Sequence, residues 1–200
     1  MPLEKPWNDW YHCNGNTYGT WLPGDPRGFR ERHHRQDVNG DYKAPPPPGA
    51  NADLLDRSRR LMRKQAVHLN AEQRQVALSA LVDKLQTDPV ELLALAIDDH
   101  HFHLLARFRD HRPKHWVGRA KMNASMLLRD VGLPGKVWAV GCRTLPIRDR
   151  SHQLNAFDYI LNHRRQGATV WTFRDTIPQS QNPTPPTKAR RKPATGGRRT

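Results

Sequence analysis

The chain has 200 residues, 33 Lys or Arg against 19 Asp or Glu, a formal net charge of +14 and a pI near 10.6. That length allows one domain with extensions and a sizeable core, and that charge favours a polyanionic partner over a merely solvated cationic surface. Two cysteines, Cys13 and Cys142, with no C-x-x-C spacing, exclude a disulfide framework and a cysteine zinc site, and no apolar run approaches the ~20 residues needed to span a bilayer. With no basic-then-apolar leader at Met1 to Trp10, the expectation is a soluble cytoplasmic protein, nucleoid-associated if its partner is DNA.

In chain order, Tyr11 to Leu22 is rich in aromatic and β-branched residues and predicts a strand running into the turn Pro23-Gly24-Asp25-Pro26-Arg27-Gly28. Residues 30–50 are polar and end in four prolines and a glycine, which predicts a long exposed loop. A helix is expected over 53–69. A second starts at Asn70, where Gln73 completes a capping box, and carries Ala77, Ala80, Leu81 and Leu85 on one face. Leu92 to Ile97 is a continuous apolar run joined by Asp98-Asp99-His100 to a second strand, which reads as a hairpin.

Val117, Ala120, Ala124, Leu127, Leu128 and Val131 recur at helical spacing, leaving Arg119, Asn123 and Arg129 outward, and the helix stops at Gly132. Val137 to Cys142 predicts another strand. Ser151 to Gly167 predicts a helix with Leu154, Phe157, Ile160 and Leu161 inward. One domain is therefore expected over 1–175, an α+β sandwich with an antiparallel sheet, helices on one face and the other face open. Residues 176–200 carry six cations, no acid and many prolines, which predicts a disordered basic tail.

The chemistry sits in two motifs. In the strand His101-Phe102-His103, Phe102, Leu104, Ala106 and Phe108 take one face, while His101, His103 and Arg107 take the other. The two imidazoles then stand roughly 6.6 Å apart on one side and can converge on one metal ion. In the second motif, Tyr159 and His163 lie one helical turn apart on a common face. An ordinary half-exposed strand can carry His-Phe-His, and a surface tyrosine is commonplace. A metal and a phenol meeting over a sheet, however, suit a nuclease that attacks a phosphodiester with a tyrosine hydroxyl.

With the segment Thr17-Tyr18-Gly19-Thr20-Trp21-Leu22-Pro23-Gly24-Asp25-Pro26-Arg27-Gly28, with His101-Phe102-His103 and with Tyr159-Ile160-x-x-His163, the chain resembles the HUH single-tyrosine transposases, in particular the REP-associated branch. The resemblance implies a ferredoxin-like antiparallel sheet (the HUH nuclease fold), Mg²⁺ or Mn²⁺ as cofactor, and cleavage of single-stranded DNA at hairpins through a 5′-phosphotyrosine with a free 3′-hydroxyl. It also implies that His101 and His103 are metal ligands and Tyr159 the nucleophile. His163 takes the place of a third ligand that is often Gln or Asn in the family, with Gln166 as a rival for it. Arg27, Arg119, Lys121, Arg129, Arg164 and Arg165 are candidates for contact with DNA phosphates; the glycine-proline segment reads equally as a rigid turn. A monomer or homodimer is expected. The competing readings are a catalytically retired nucleic-acid binder of the same fold and an RNA-binding protein, which would need aromatic residues on the open sheet face.

Overall fold

The computed structural model describes residues 7–27, 47 and 49–175. The basic tail and nearly all of the proline-rich stretch at 30–50 lie outside the described residues. The elements are β1 (Trp10–Asn16), α1 (Ala52–Arg60), α2 (Ala71–Thr87), β2 (Val90–Ile97), β3 (His101–Phe108), α3 (Pro113–Leu128), β4 (Arg143–Pro146), α4 (Arg150–Asn162) and β5 (Thr169–Thr172).

The strands form one sheet in the order β4-β1-β3-β2-β5, with every neighbouring pair antiparallel. The α+β class with an antiparallel sheet is thus as expected. From β1 to β4, with α2 and α3 as the crossovers, this is the split β-α-β-β-α-β arrangement. α2 and α3 cover one face. There Ala77, Ala80, Leu81 and Leu85 of α2 and Val117, Ala120, Ala124 and Leu128 of α3 bury against Cys13, Leu95, Ile97, Phe102, Leu104, Ala106 and Phe108. The capping box of α2 forms as read: Gln73 N donates to Asn70 Oδ1 at 2.9 Å and Asn70 N to Gln73 Oε1 at 3.1 Å.

The second face is not open. β4 and β5 lie on opposite edges, so α4, which precedes β5, passes across that face and packs Ala156 and Ile160 on Ala94, Ala96 and Leu105. This explains why β2 is apolar from Leu92 to Ile97, after the exposed Glu91. A strand covered on both sides has no water-facing row, and the shift of register between Leu92 and Ala94 divides its side chains between the two cores.

Other differences follow from tertiary pairing. The first helix ends at Arg60 because Val67 and Leu69 are buried as extended chain, their N–H groups donating to the Tyr18 and Asp99 carbonyls at 2.9 and 2.7 Å. β1 ends at Asn16; beyond it, Thr17 makes only an isolated bridge to Trp138. The fourth strand begins at Arg143 and not at Val137, because Gly141 turns with φ +72° and Lys121 Nζ takes the Ala139 and Gly141 carbonyls at 2.7 and 2.6 Å. Leu127 and Leu154 are 43% and 50% exposed and not inward, and Asn123 donates to the Ala80 carbonyl instead of facing water. β5, unread in the sequence, pairs with β2 and forms one edge of the sheet.

The α2 cap gives a direct check. Asn70→Ala removes one of the two reciprocal bonds, so the urea midpoint should fall by the equivalent of about 1 kcal/mol with an unchanged m-value. An unchanged midpoint would mean that the cap contributes nothing.

Candidate active site

The central strand β3 presents His101 and His103 on the face that α4 crosses, and α4 runs into a short 3-10 turn beginning at His163. The three imidazoles meet: one nitrogen from each of His101, His103 and His163 lies within 4.8 Å of the other two. His103 stacks on His163 with centroids 4.6 Å apart, and His101 stands edge-on to both at 5.1 and 5.2 Å. Tyr159, one turn back along α4, lies 5.1 Å from the His103 ring and 5.0 Å from that of His163, and is 49% exposed. The helix thus brings a solvent-accessible phenol to the rim of a largely buried imidazole cluster. His103 and His163 are only 7% and 6% exposed, so the face read as polar is polar but dry.

Sequence reading missed a fourth imidazole. His12 of β1 sits diagonally across from His103, with its Nε2 3.0 Å from His103 Nδ1, and its ring is 5.9 Å from Tyr159. The alternation His12-x-Asn14-x-Asn16, which places three polar side chains on one side of an otherwise apolar strand, was the available signal. Burial holds His103 down to about 2, reinforced by the neighbouring His163, His12 and His101, and holds His12 down to about 4, with His152, Arg143 and His163 adding to it. His101 and His163 are lowered as well, chiefly by burial. Neutral imidazoles keep a lone pair free, which is the state a metal requires.

The donor set fits a divalent ion. His163 Nδ1 is buried with no hydrogen-bond partner, an arrangement that costs free energy unless something occupies that nitrogen. Among Mg²⁺ and Mn²⁺, three imidazoles suit Mn²⁺ and its first-row neighbours better than the oxygen-seeking Mg²⁺. Gln166, the rival to His163, is exposed at the end of the 3-10 turn.

The cationic candidates divide. Arg164 and Arg165 are exposed in the turn that carries His163, beside the cluster. Arg129 is exposed at the far end of α3. Arg119 stands on α3, over the Trp116 ring and 3.5 Å from Asp88, on the side of the sheet away from the cluster. Lys121 is 7% exposed and spends its ammonium on two carbonyls, so it is structural and cannot track phosphates. Arg27 is held by Asp25 through Nε and Nη2 at 2.9 and 2.7 Å, donates to the Thr20 carbonyl at 2.7 Å and lies 4.6 Å over Trp21. It lines a groove of about 710 Å³ with Arg59, Lys64 and His68, where it pulls the Asp25 carboxyl down by hydrogen bonding. Within the described residues the glycine-proline segment turns at Leu22 to Asp25, where Asp25 N donates to the Leu22 carbonyl at 3.1 Å. Gly24, with φ +90°, lies so close to α1 that a Cβ would overlap the Leu55 backbone.

No protein-family model matches this chain, and no curated protein matches it. Among solved structures it is similar to one described as the structure of the REP-associated tyrosine transposase bound to a REP hairpin, 14% identical over 80% of this chain and 68% of that one, with a TM-score of 0.46. A likeness of that depth carries no weight, and the functional reading rests on the geometry. Among the described residues, no helix is long and apolar enough to cross a membrane.

Protonation of the cluster gives a pH dependence of known sign. The folded-state values of His12 and His103 lie below the ordinary 6.5 of the unfolded chain, so the unfolded state binds more protons as pH falls below about 6.5. Stability of metal-free protein is therefore full above that pH and is lost progressively on acidification, His12 contributing until about pH 4 and His103 further still. Urea midpoints in EDTA should fall between about pH 7 and pH 5, and less steeply in His12→Gln. Equal slopes in the two proteins would show that His12 is not held neutral by the fold.

Proposed function

We propose that this protein is a metal-dependent, single-stranded DNA endonuclease and strand transferase of transposase type, with Tyr159 as nucleophile and His101, His103 and His163 as the metal ligands. The observation that carries the reading is the placement of an exposed phenol within 5.1 Å of two rings of a buried three-imidazole cluster, contributed by one helix and one central strand. A divalent ion bound there supplies polarisation of the scissile phosphate and offsets the charge that develops during displacement. The chain's own groups do the rest. The Tyr159 oxygen attacks phosphorus, the phenolic proton passes to solvent, and the 3′-oxygen of the preceding nucleotide leaves and takes up a proton. The product is a 5′-phosphotyrosine with a free 3′-hydroxyl, and one phosphoester bond is exchanged for another. The reverse attack by a 3′-hydroxyl reseals a strand without a nucleoside triphosphate.

The exposed Arg164 and Arg165 support the binding of a phosphate backbone at the cluster, and the net charge of +14 supports a polyanion generally. Hairpin DNA is the proposed substrate because the motifs that resemble the REP-associated branch are the ones the fold brings together.

Tyr159→Phe should abolish the covalent adduct with a labelled hairpin in Mn²⁺, read on a denaturing gel, while leaving hairpin affinity within about threefold, since one oxygen is lost and little contact area. Hairpin binding by the wild type with no adduct at any tyrosine would favour the retired binder instead. Arg164→Ala with Arg165→Ala should weaken hairpin binding and flatten the dependence of log affinity on log salt by about one to two charges. An unchanged slope would place the backbone elsewhere.

A further inference from the structure

Both histidines of β3 are met at Nδ1 by another imidazole. His103 Nδ1 lies 3.0 Å from His12 Nε2, and His101 Nδ1 lies 3.2 Å from His100 Nε2. His100 in turn bonds Asp99 Oδ1 through its own Nδ1, and Asp99 Oδ2 bonds His68 Nδ1 at 3.0 Å. A neutral imidazole has one N–H and one lone pair, so each contact between two rings needs one donor and one acceptor. Starting from the Asp99 carboxylate, which only accepts, the assignment is forced outward. His100 Nδ1–H donates to Asp99, leaving His100 Nε2 as an acceptor, and His101 Nδ1–H donates to it. His101 Nε2 is then the lone pair. At His12, the same outcome follows if His103 donates from Nδ1.

We infer that His100, backed by Asp99, and His12 are positioning residues that fix His101 and His103 as the tautomers with Nε2 free for metal. The inference rests on the metal-centre reading above and goes beyond it, since neither His12 nor His100 is a ligand in that reading. Histidine ligands characteristically donate their other N–H to a carboxylate or carbonyl, which fixes ring orientation and raises ligand basicity. Here the carboxylate acts on His101 through one intervening ring.

The fold holds this chain of contacts rigidly. The Asp98–His100 link between β2 and β3 is pinned from outside the hairpin. The His100 carbonyl accepts from Thr17 N at 2.9 Å and from the Thr17 and Thr20 hydroxyls at 3.1 and 3.3 Å, and the Asp99 carbonyl accepts from Leu69 N at 2.7 Å. The segment around Thr17, one of those carrying the sequence resemblance, thus has a task at the centre: it locks the turn from which His100 reaches His101.

The test titrates Mn²⁺ into metal-free full-length protein by calorimetry, with melting temperature as a control. His12→Phe and His100→Phe keep a ring and remove the acceptor; His12→Gln and His100→Gln restore an oxygen that can accept from Nδ1–H. The phenylalanine variants should each weaken Mn²⁺ binding about 10- to 100-fold, and the glutamine variants should recover most of that loss. His103→Ala serves as the reference for a lost ligand. If wild type and His103→Ala bind Mn²⁺ equally, or neither binds it, the metal-centre reading fails. If His103→Ala loses binding while His12→Phe and His100→Phe, still folded, bind as wild type does, the metal reading stands and the positioning inference is overturned. If a phenylalanine variant fails to fold, the glutamine variant of that position decides: binding within about threefold of wild type supports the inference, and a loss as large as in His103→Ala overturns it.

Discussion

The path of the chain between the two edge strands governs this molecule. Among the described residues, β4 is hydrogen-bonded only to β1 and β5 only to β2, on opposite borders of a five-stranded sheet, so the segment joining them traverses the face that α2 and α3 leave uncovered. A helix laid across that face needs a small-residue floor, which Ala94 and Ala96 of β2 provide, and an apolar underside, which Ala156 and Ile160 supply. Once it is seated, Tyr159 and His163 fall above the central strand without any loop having to place them. Rigid elements hold both halves of the proposed centre, the condition under which reacting groups keep sub-ångström geometry.

That seating also sets the electrostatics. Covering the histidine face with α4 removes water from rings that would otherwise titrate near neutrality, and the cost of burying their charged forms keeps them unprotonated. Imidazoles crowded together under cover are unfavourable as cations and acceptable as neutral donors and acceptors, and Asp98 and Asp99 offset only part of that burial for His101. Burial thus favours the neutral form of each ring, and His163 Nδ1 has no hydrogen-bond partner among the described residues.

The sequence made much of this legible, and the gaps have physical causes. The His101-Phe102-His103 alternation was readable because period-two patterning survives burial of both faces. The one-turn spacing of Tyr159 and His163 was readable because α4 is regular to Asn162 and its C-cap, His163, keeps helical dihedrals before the 3-10 turn. What failed were inferences about which surfaces stay wet. Lys121 looked like a free cation, but it caps backbone carbonyls from a helix facing the core, whereas Arg27 stays exposed while its guanidinium bonds Asp25 two residues away. β5 was overlooked because four residues after a glycine give too short a pattern to separate from a loop. His12 was overlooked because its importance depends on strand register, which places β1 beside β3 only once the sheet is ordered β4-β1-β3-β2-β5.

The alanine floor under α4 has a consequence for how such a centre can change. Tyr159 and His163 ride on one rod, whereas His101 and His103 are fixed in the sheet, so the gap between the phenol and the β3 imidazoles is a single mechanical coordinate: the height of the rod above its bed. A bulkier side chain at Ala94 or Ala96 would act as a shim, lifting the Tyr159 hydroxyl and the His163 ring together and leaving each intact in itself. Under the proposed function, loss of chemistry with retention of fold would then be a small step in sequence space, reachable without touching any histidine or the tyrosine. Two alanines that bear no reactive atom set the clearance between the phenol and the imidazoles.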